Sequence, residues 1–305
     1  MSKEKILHLF QYPIKDITDK LDEIKESGWT SILISPVQPS KEENGLWYMN
    51  YQIISLTIGN RYGNIEQLIE LCENAHEKGL KVYTDIIITH FGNAGGGDKS
   101  FIPHEKVDNN LTQNKYFWRE KKIIDYDNRY SITHHCNGLP AIRVDNFDYQ
   151  DLVINFINSL IDIGFDGARL DSAKMISTPE EDFGEPRNLF FKRVLENIKK
   201  PIYIFGEVIF EKKEIIDKYE KYIDVLTEFS GNSYNLNSQR TLFFIESHDT
   251  FNDENMGYTR KWDMNKIVNE YEFLVRDFQK VLFYARPNNN TWCSDRIKNI
   301  NNTYK

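Results

Sequence analysis

The chain has 305 residues, 40% hydrophobic and 28% charged, with a net charge of −8, the balance of a globular protein with a sizeable buried core. The acidic surplus repels phosphate backbones and anionic lipid, which excludes nucleic acid and membrane surfaces as first partners. The 19 Phe, 17 Tyr and 5 Trp exceed what a core consumes and leave aromatic surface for stacking on a neutral ligand.

The N-terminus, Met1 to His8, carries no apolar stretch of secretory-signal length, and no run elsewhere approaches a membrane span. Ile6 to Phe10 reads as a first strand. A helix follows from about Asp16, with Ile17, Leu21 and Ile24 on one face and Gly28 as its stop. Ser31 to Ser35 is the second strand, ended by Pro36. Asn64 caps the next helix, whose apolar stripe is Ile65, Leu68, Ile69 and Cys72, and Gly79 terminates it. Lys81 to Thr89 is a third strand, with Ile86-Ile-Ile88 at its heart, as expected when both faces are covered.

From Phe91 to about Ile142 the rhythm breaks into polar, irregular sequence, long enough to be a functional insertion. Within it, Gly95-Gly96-Gly97 lacks the Lys-Ser/Thr of a phosphate loop and reads as a hairpin tip. His134-His135-Cys136, with His104, offers zinc ligand types, but adjacent histidines in a polar loop are expected to be solvated. A helix near Gln150 to Ile163 restores the pattern. Apolar runs at Gly167–Leu170, Ile202–Phe205, Val225–Phe229, Thr241–Ile245 and Val281–Ala285 complete eight strands. Alternating strands and crossover helices in this number predict a (β/α)8 TIM barrel, with an open doubly wound sheet as the rival. Only eleven residues separate Phe229 from Thr241, so the sixth helix is expected to be short or missing. Cys72, Cys136 and Cys293 form neither a disulfide framework nor a zinc motif, which points to free thiols and a cytoplasmic setting.

In such a barrel the chemistry sits where strands end. His90 is placed at the end of strand three, Arg169 and Asp171 at strand four, Glu207 at strand five, and His248 and Asp249 at strand seven. Three carboxylates flanked by Arg and His suit acetal hydrolysis, in which one carboxylate attacks carbon and another protonates the leaving oxygen. The plainer alternative for Arg169 and Asp171 is a structural ion pair; for Trp47 and Tyr51 it is ordinary packing.

Four segments, Asp85-Ile-Ile-Ile-Thr-His90, Gly167-Ala-Arg-Leu-Asp-Ser-Ala-Lys174, Phe205-Gly-Glu-Val208 and Ile245-Glu-Ser-His-Asp249, resemble the signatures of the α-amylase family, glycoside hydrolase family 13. Trp47-Tyr-Met-Asn-Tyr-Gln52, followed by Asn60-Arg-Tyr-Gly63, resembles a further family stretch. The resemblance runs from about Ile6 to Pro287. It implies a barrel formed by residues 1–90 and 143–305, with 91–142 as an inserted B-type domain. It implies a retaining α-glucan hydrolase with Asp171 as nucleophile, Arg169 holding it ionised, Glu207 as acid/base, and Asp249 on the hydroxyls of a distorted ring. His90 and His248 would assist Asp249, Tyr51 would stack beneath the ring, Lys174 would face the leaving group, and Trp47 and Gln52 would line the substrate path. The carboxylate pair would lie about 5–5.5 Å apart and the α-anomer would be retained.

The chain departs from the family pattern at two positions. Thr89 stands where the first signature usually has Asn, and Ala141 follows Leu139-Pro140 where an acidic residue is usual. A calcium held between barrel and insertion would lose oxygen donors by both changes, so no metal and no cofactor is expected. After Pro287 only Asn-rich sequence and a short helix around Ser294 to Asn301 are read, so a C-terminal β-sandwich is expected to be missing and self-association becomes an expectation. The expected partner is an α-glucan or maltooligosaccharide. The alternatives are an α-glucosidase or glucan transferase of the same family, and a non-catalytic carbohydrate-binding or structural barrel.

Overall fold

The computed structural model describes residues 3–42, 45–117, 122–230, 233–253 and 259–305. Eight parallel strands close into a barrel in sequence order: β1 Glu4–Leu9, β2 Ser31–Ile34, β3 Lys81–Ile86, β4 Gly167–Leu170, β5 Tyr203–Glu207, β6 Asp224–Glu228, β7 Thr241–Phe244 and β8 Lys280–Tyr284. The TIM barrel expected from the sequence is the observed fold, and the open sheet is excluded by the β1–β8 pairing, Glu4 against Lys280 through His8 against Tyr284. The crossover helices are α1 Ile14–Thr18, α2 Leu21–Glu26, α3 Ile65–Glu77, α4 Arg129–His134, α5 Phe147–Ile163, α6 Phe190–Asn197, α7 Lys213–Tyr219, α8 His248–Asn252, α9 Met264–Asp277 and α10 Asp295–Thr303. Among the described residues no helix is long and apolar enough to cross a membrane.

Local chemistry explains most of these boundaries. Asn64 caps α3 in a reciprocal box with Gln67, and Gly164 closes α5 in the left-handed conformation. The single helix expected from Asp16 is two short ones, α1 and α2, with Asp19 and Lys20 between them. Strand three stops at Ile86 rather than Thr89. There the Gln38 side chain takes over both backbone groups of Ile87, accepting from its N–H at 2.8 Å and donating to its carbonyl at 2.9 Å. In the β6–β7 connection, of which residues 231 and 232 lie outside the described residues, only the 3-10 turn Ser233–Asn235 is found, as the shortness of that segment requires.

Two cores follow from the strands' alternation of faces. Inside the barrel, Ile6, Leu33, Tyr83, Phe205, Leu226, Leu242, Phe244 and Leu282 fill the lumen. A larger sheath between strands and helices includes Trp29, Leu71, Ile86, Ile157, Val225, Leu274 and Trp292. The lower end of the lumen is sealed by polar pairs: Glu4 accepts from Ser31 and Tyr83, and Asp224 pairs with Lys280 and Arg240. The upper end is therefore the only layer left for chemistry.

The segment 91–142 is irregular, with the 3-10 turns Gly97–Phe101, Asn109–Leu111 and Asn114–Tyr116 and helix α4. The glycine run does lie in a loop closed by an antiparallel bridge, Asn93 against Pro103. The expectation of solvated histidines fails at His134, which is buried, stacked on Tyr130 at 4.2 Å and 3.3 Å from Glu185. Two buried cations fasten the segment to the barrel. Lys41, in the loop after β2, donates to the carbonyl and side-chain oxygens of Asn93 at 2.9 and 2.8 Å. Arg129 of α4 pairs with Glu181 at 2.7 Å and with Glu211 at 3.5 Å, and donates to the carbonyl of Lys174 at 2.8 Å.

Strands β4 and β5 are pressed together at Gly167, where a Cβ would sit 2.1 Å from the backbone oxygen of Tyr203. That neighbour is backbone and cannot move aside without breaking the ladder. Gly167→Ala is expected to lower unfolding free energy by about 3 kcal/mol, measured by urea denaturation; an unchanged midpoint would contradict the packing described.

Candidate active site

One guanidinium gathers the carboxylates at the upper mouth of the barrel. The register pairs Asp85 of β3 with Arg169 of β4 and Arg169 with Phe205 of β5. Alternation then aims Asp85, Arg169 and Glu207 into the same interior layer, directly above the apolar one. Arg169 is 2% exposed. Its Nη1 pairs with Asp85 Oδ2 at 2.5 Å and reaches Asp171 Oδ1 at 3.4 Å, and its Nη2 pairs with Glu207 Oε1 at 2.8 Å. The Tyr51 hydroxyl donates to the same Asp85 oxygen at 2.9 Å. Glu207 Oε2 accepts from the backbone N–H of Ser172 at 3.0 Å. Ser172 holds a left-handed φ of 49° to present that donor, local strain of the kind that collects at functional sites.

Asp171 is the first residue beyond β4, and Glu207 is the last of β5. Strand seven ends at Phe244, so His248 and Asp249 are not strand-end residues. They form the first turn of α8, whose N-cap Ser247 makes a reciprocal box with Thr250. The loop leading there is clamped by a bidentate pair, Arg286 to Glu246 at 2.8 Å on both oxygens. Asp249 Oδ1 lies 3.4 Å from His248 Nε2. Above the carboxylates stands an aromatic wall. The Tyr51 ring stacks on His248 at 5.1 Å and 13°, and on Phe10 at 6.1 Å and 20°, while Trp47 meets His248 edge-on at 5.9 Å.

The remaining residues expected at the site are more committed to the protein than the sequence implies. His90 sits four residues beyond the end of β3; its Nε2 donates to the Tyr51 carbonyl at 3.0 Å, leaving Nδ1 to accept from the Thr89 hydroxyl at 3.1 Å. Both ring nitrogens are thus engaged, and His90 acts here on the backbone of Tyr51. Gln52 is buried, with its side-chain oxygen 3.4 Å from the N–H of Asn93. Lys174 Nζ donates to the Ile209 carbonyl at 3.3 Å. Two residues of this layer escape a reading by strand ends: Asp85, within strand three, and His8 of β1, which is 1% exposed and meets His248 edge-on at 5.3 Å. Counting two residues up from lumen-facing Tyr83 and Ile6 would have found both.

Burial dominates the electrostatics. It pushes the Asp171 carboxyl well above the usual carboxylate range, with Arg169 pulling down and Glu207 adding to the rise. Burial, and then the negative charge of Glu207, raises Asp249 to about 8. Burial depresses His8 to about 3 and His90 to about 4, and with help from Arg169 it holds His248 well below the ordinary imidazole value. The imidazoles are therefore neutral at pH 7. Four carboxylates around one guanidinium cannot all ionise, so protons are shared across the group rather than owned by one residue.

A calcium ion does not fit the residues present at the junction of barrel and insertion. The Thr89 hydroxyl is occupied by His90, and Ala141 offers only a methyl group where it bridges to His90. Among the described residues no group of three or more His, Cys, Asp or Glu gathers anywhere, whereas calcium demands several oxygens with carboxylate charge.

The raised Asp249 value fixes a sign for stability. The folded state holds a proton that the unfolded chain releases near pH 4, so stability is complete below that and declines as pH rises toward 8. Asp249→Asn removes this loss. Its melting temperature is expected to exceed that of the wild type by several degrees at pH 8 and by little at pH 5, measured by calorimetry; the opposite ordering would contradict the burial argument.

The family model described as "Alpha amylase, catalytic domain" matches residues 13–265. The α-amylase of Clostridium acetobutylicum is 28% identical over 88% of this chain, and that of Butyrivibrio fibrisolvens 22% identical over 94%. The chain spans 35% of the length of each of these relatives. The α-amylase of Geobacillus thermoleovorans, solved with acarbose, superposes over 99% of this chain and 78% of its own, with a TM-score of 0.76 at 19% identity. That likeness concerns the fold; the family match covers most of the sequence, and it includes the segments that carry Asp85, Arg169, Asp171, Glu207 and Asp249. On these grounds the chain belongs to the α-amylase family.

Proposed function

We propose that the chain is a retaining α-glucan hydrolase that cleaves α-1,4-glucosidic bonds by double displacement. The observation that carries this reading is the placement of Asp171 and Glu207 on the same guanidinium, Arg169, under an aromatic wall of Tyr51, His248 and Trp47. In the first step Glu207 gives its proton to the glycosidic oxygen while Asp171 attacks the anomeric carbon, and the carbon–oxygen bond breaks. In the second step Glu207, now ionised, takes a proton from water, whose oxygen displaces Asp171 and restores the α configuration. Before the first step the pool of shared protons must place one on Glu207, and Arg169 must turn its charge toward Asp171. A sugar seated between the two carboxylates favours both changes, because it expels water and lifts the cost of two adjacent charges. Asp249 is suited to accept from ring hydroxyls, with His248 a neutral partner beside it. The carboxylate-rich, anion-repelling mouth favours a neutral substrate such as starch-like polymer or maltooligosaccharide. Three free thiols, two of them buried, favour a cytoplasmic setting.

The test is reducing-sugar release from soluble starch by wild type, Asp171→Asn and Glu207→Gln. Activity in the wild type and losses of about 10²–10⁴ or more in each variant are expected. A folded wild type that is silent on starch, glycogen and maltooligosaccharides would instead favour a non-catalytic barrel. Products longer than a maltohexaose substrate would favour a transferase.

We further propose that folding and activity need no calcium, because Lys41 and Arg129 make the ties between barrel and insertion. The melting temperature is expected to be unchanged in excess chelator. A drop of many degrees, reversed by added calcium, would defeat this.

A further inference from the structure

Beyond Glu207 the chain does something that neither the fold nor the chemistry described so far requires. Phe210, three residues on, takes a left-handed φ of 58° with its ring 59% exposed. A non-glycine residue in that conformation costs about 1–3 kcal/mol, and an exposed ring recovers little of it by burial. The conformation is held from below. The Phe210 N–H donates to both carboxylate oxygens of Glu228, at 3.3 Å each, and the Thr227 hydroxyl donates to the same carboxylate at 3.0 Å. Glu228 is the last residue of β6, two beyond lumen-facing Leu226. Lys174 Nζ stands 6.0 Å from the centre of the ring. The strain is therefore supported by neighbouring strands and loops, and its result is an apolar face presented beside the acid.

Phe210 opens onto a cleft of about 960 Å³ that runs away from the carboxylates, between the inserted segment and the loops after β5 and β6. Its walls include Tyr126, Asp127, Glu211, Lys212, Glu228 and Asn235. That volume lies at the upper end of ligand clefts, which run from about 300 to 1,000 Å³, and it suits a chain of rings better than a single small molecule. The lining mixes carboxylates with lysines, and Arg129 is already paired to Glu181 and Glu211. No surplus of positive charge awaits an anion. Carboxylates that accept from hydroxyls, beside an aromatic face for the C–H side of a pyranose, are the chemistry of a neutral sugar polymer.

We infer that this cleft takes the leaving-group side of an α-glucan chain, with Phe210 as its stacking platform and Glu228 as the residue that positions Phe210. The inference rests on the α-glucanase reading above. Position follows from that reading: the acid must touch the glycosidic oxygen, so the departing sugar lies next to the residues that follow Glu207. Phe210 thereby determines how strongly long substrates are preferred over short ones.

The experiment compares wild type, Phe210→Ala, Phe210→Tyr, Glu228→Ala and Glu228→Gln on maltoheptaose and on α-maltosyl fluoride, with a melting temperature for each. Loss of one stacking ring is expected to raise the Phe210→Ala KM for maltoheptaose about tenfold. The penalty is expected to be much smaller for the fluoride, whose leaving group has no sugar to stack. Phe210→Tyr keeps the platform and stays near wild type. Glu228→Ala shifts KM in the same direction as Phe210→Ala, and Glu228→Gln, whose amide oxygen still accepts from the Phe210 N–H, restores it. Equal penalties on both substrates would overturn the inference by making Phe210 a support of the carboxylate layer. An unchanged KM and product pattern for Phe210→Ala would overturn it outright. A wild type that cleaves neither substrate would defeat the α-glucanase reading itself, and this inference with it.

Discussion

The structure turns on the burial of a single positive charge. Arg169, inside a barrel mouth that excludes water, would be very costly alone, and the layer around it is organised to answer that cost. Asp85 pairs with it most closely, Glu207 takes its second nitrogen, and Asp171 stands at the edge of reach. The same desolvation that makes the guanidinium need carboxylates makes the carboxylates resist ionisation, so more acid groups gather than one charge can neutralise. A surplus of acids over cations leaves protons resident in the site at neutral pH. That is the condition a glycosidase needs: one carboxylate charged, another able to give a proton. Asp85, joined to Tyr51 and Arg169, is best understood as the fixed counter-charge that leaves Asp171 and Glu207 free to exchange roles with substrate.

The loops carrying the other residues are fastened by further buried ions rather than by regular structure. Arg129 joins the inserted segment to the loops after β4 and β5 and holds the Lys174 carbonyl. Arg286 and Glu246 fix the approach to α8, and with it His248 and Asp249. Breaking one partner of such a pair leaves an uncompensated buried charge and is strongly destabilising. These ties set the geometry of the mouth while the ladder below sets its diameter.

Much of this was legible in the sequence. Short apolar runs separated by helical stripes gave the eight strands, and Asn64 and Gly79 marked α3 because capping chemistry is local. Arg169, Asp171 and Glu207 were legible because each sits at or within a residue of a strand end. What was hidden depended on contacts across the fold. Strand three loses its last residues to the side chain of Gln38, 49 positions away, which no local pattern reveals. His248 and Asp249 belong to a five-residue helix too short to show periodicity. Asp85 lay in plain view within an apolar strand, and its meaning appeared only when the register set it opposite Arg169. Phe210 and Glu228 were invisible because a backbone angle and the hydrogen bond that supports it leave no mark on residue order.

The central claim, that Arg169 prepares Asp171 to attack carbon, is tested most directly by trapping the intermediate. Glu207→Gln, mixed with an α-maltosyl fluoride that needs no acid to depart, should accumulate a maltosyl adduct on the peptide containing Asp171, read by mass spectrometry after acid quench. An adduct on a peptide carrying Asp249 or Asp85 instead, or fluoride release with no adduct at any time, would contradict the account.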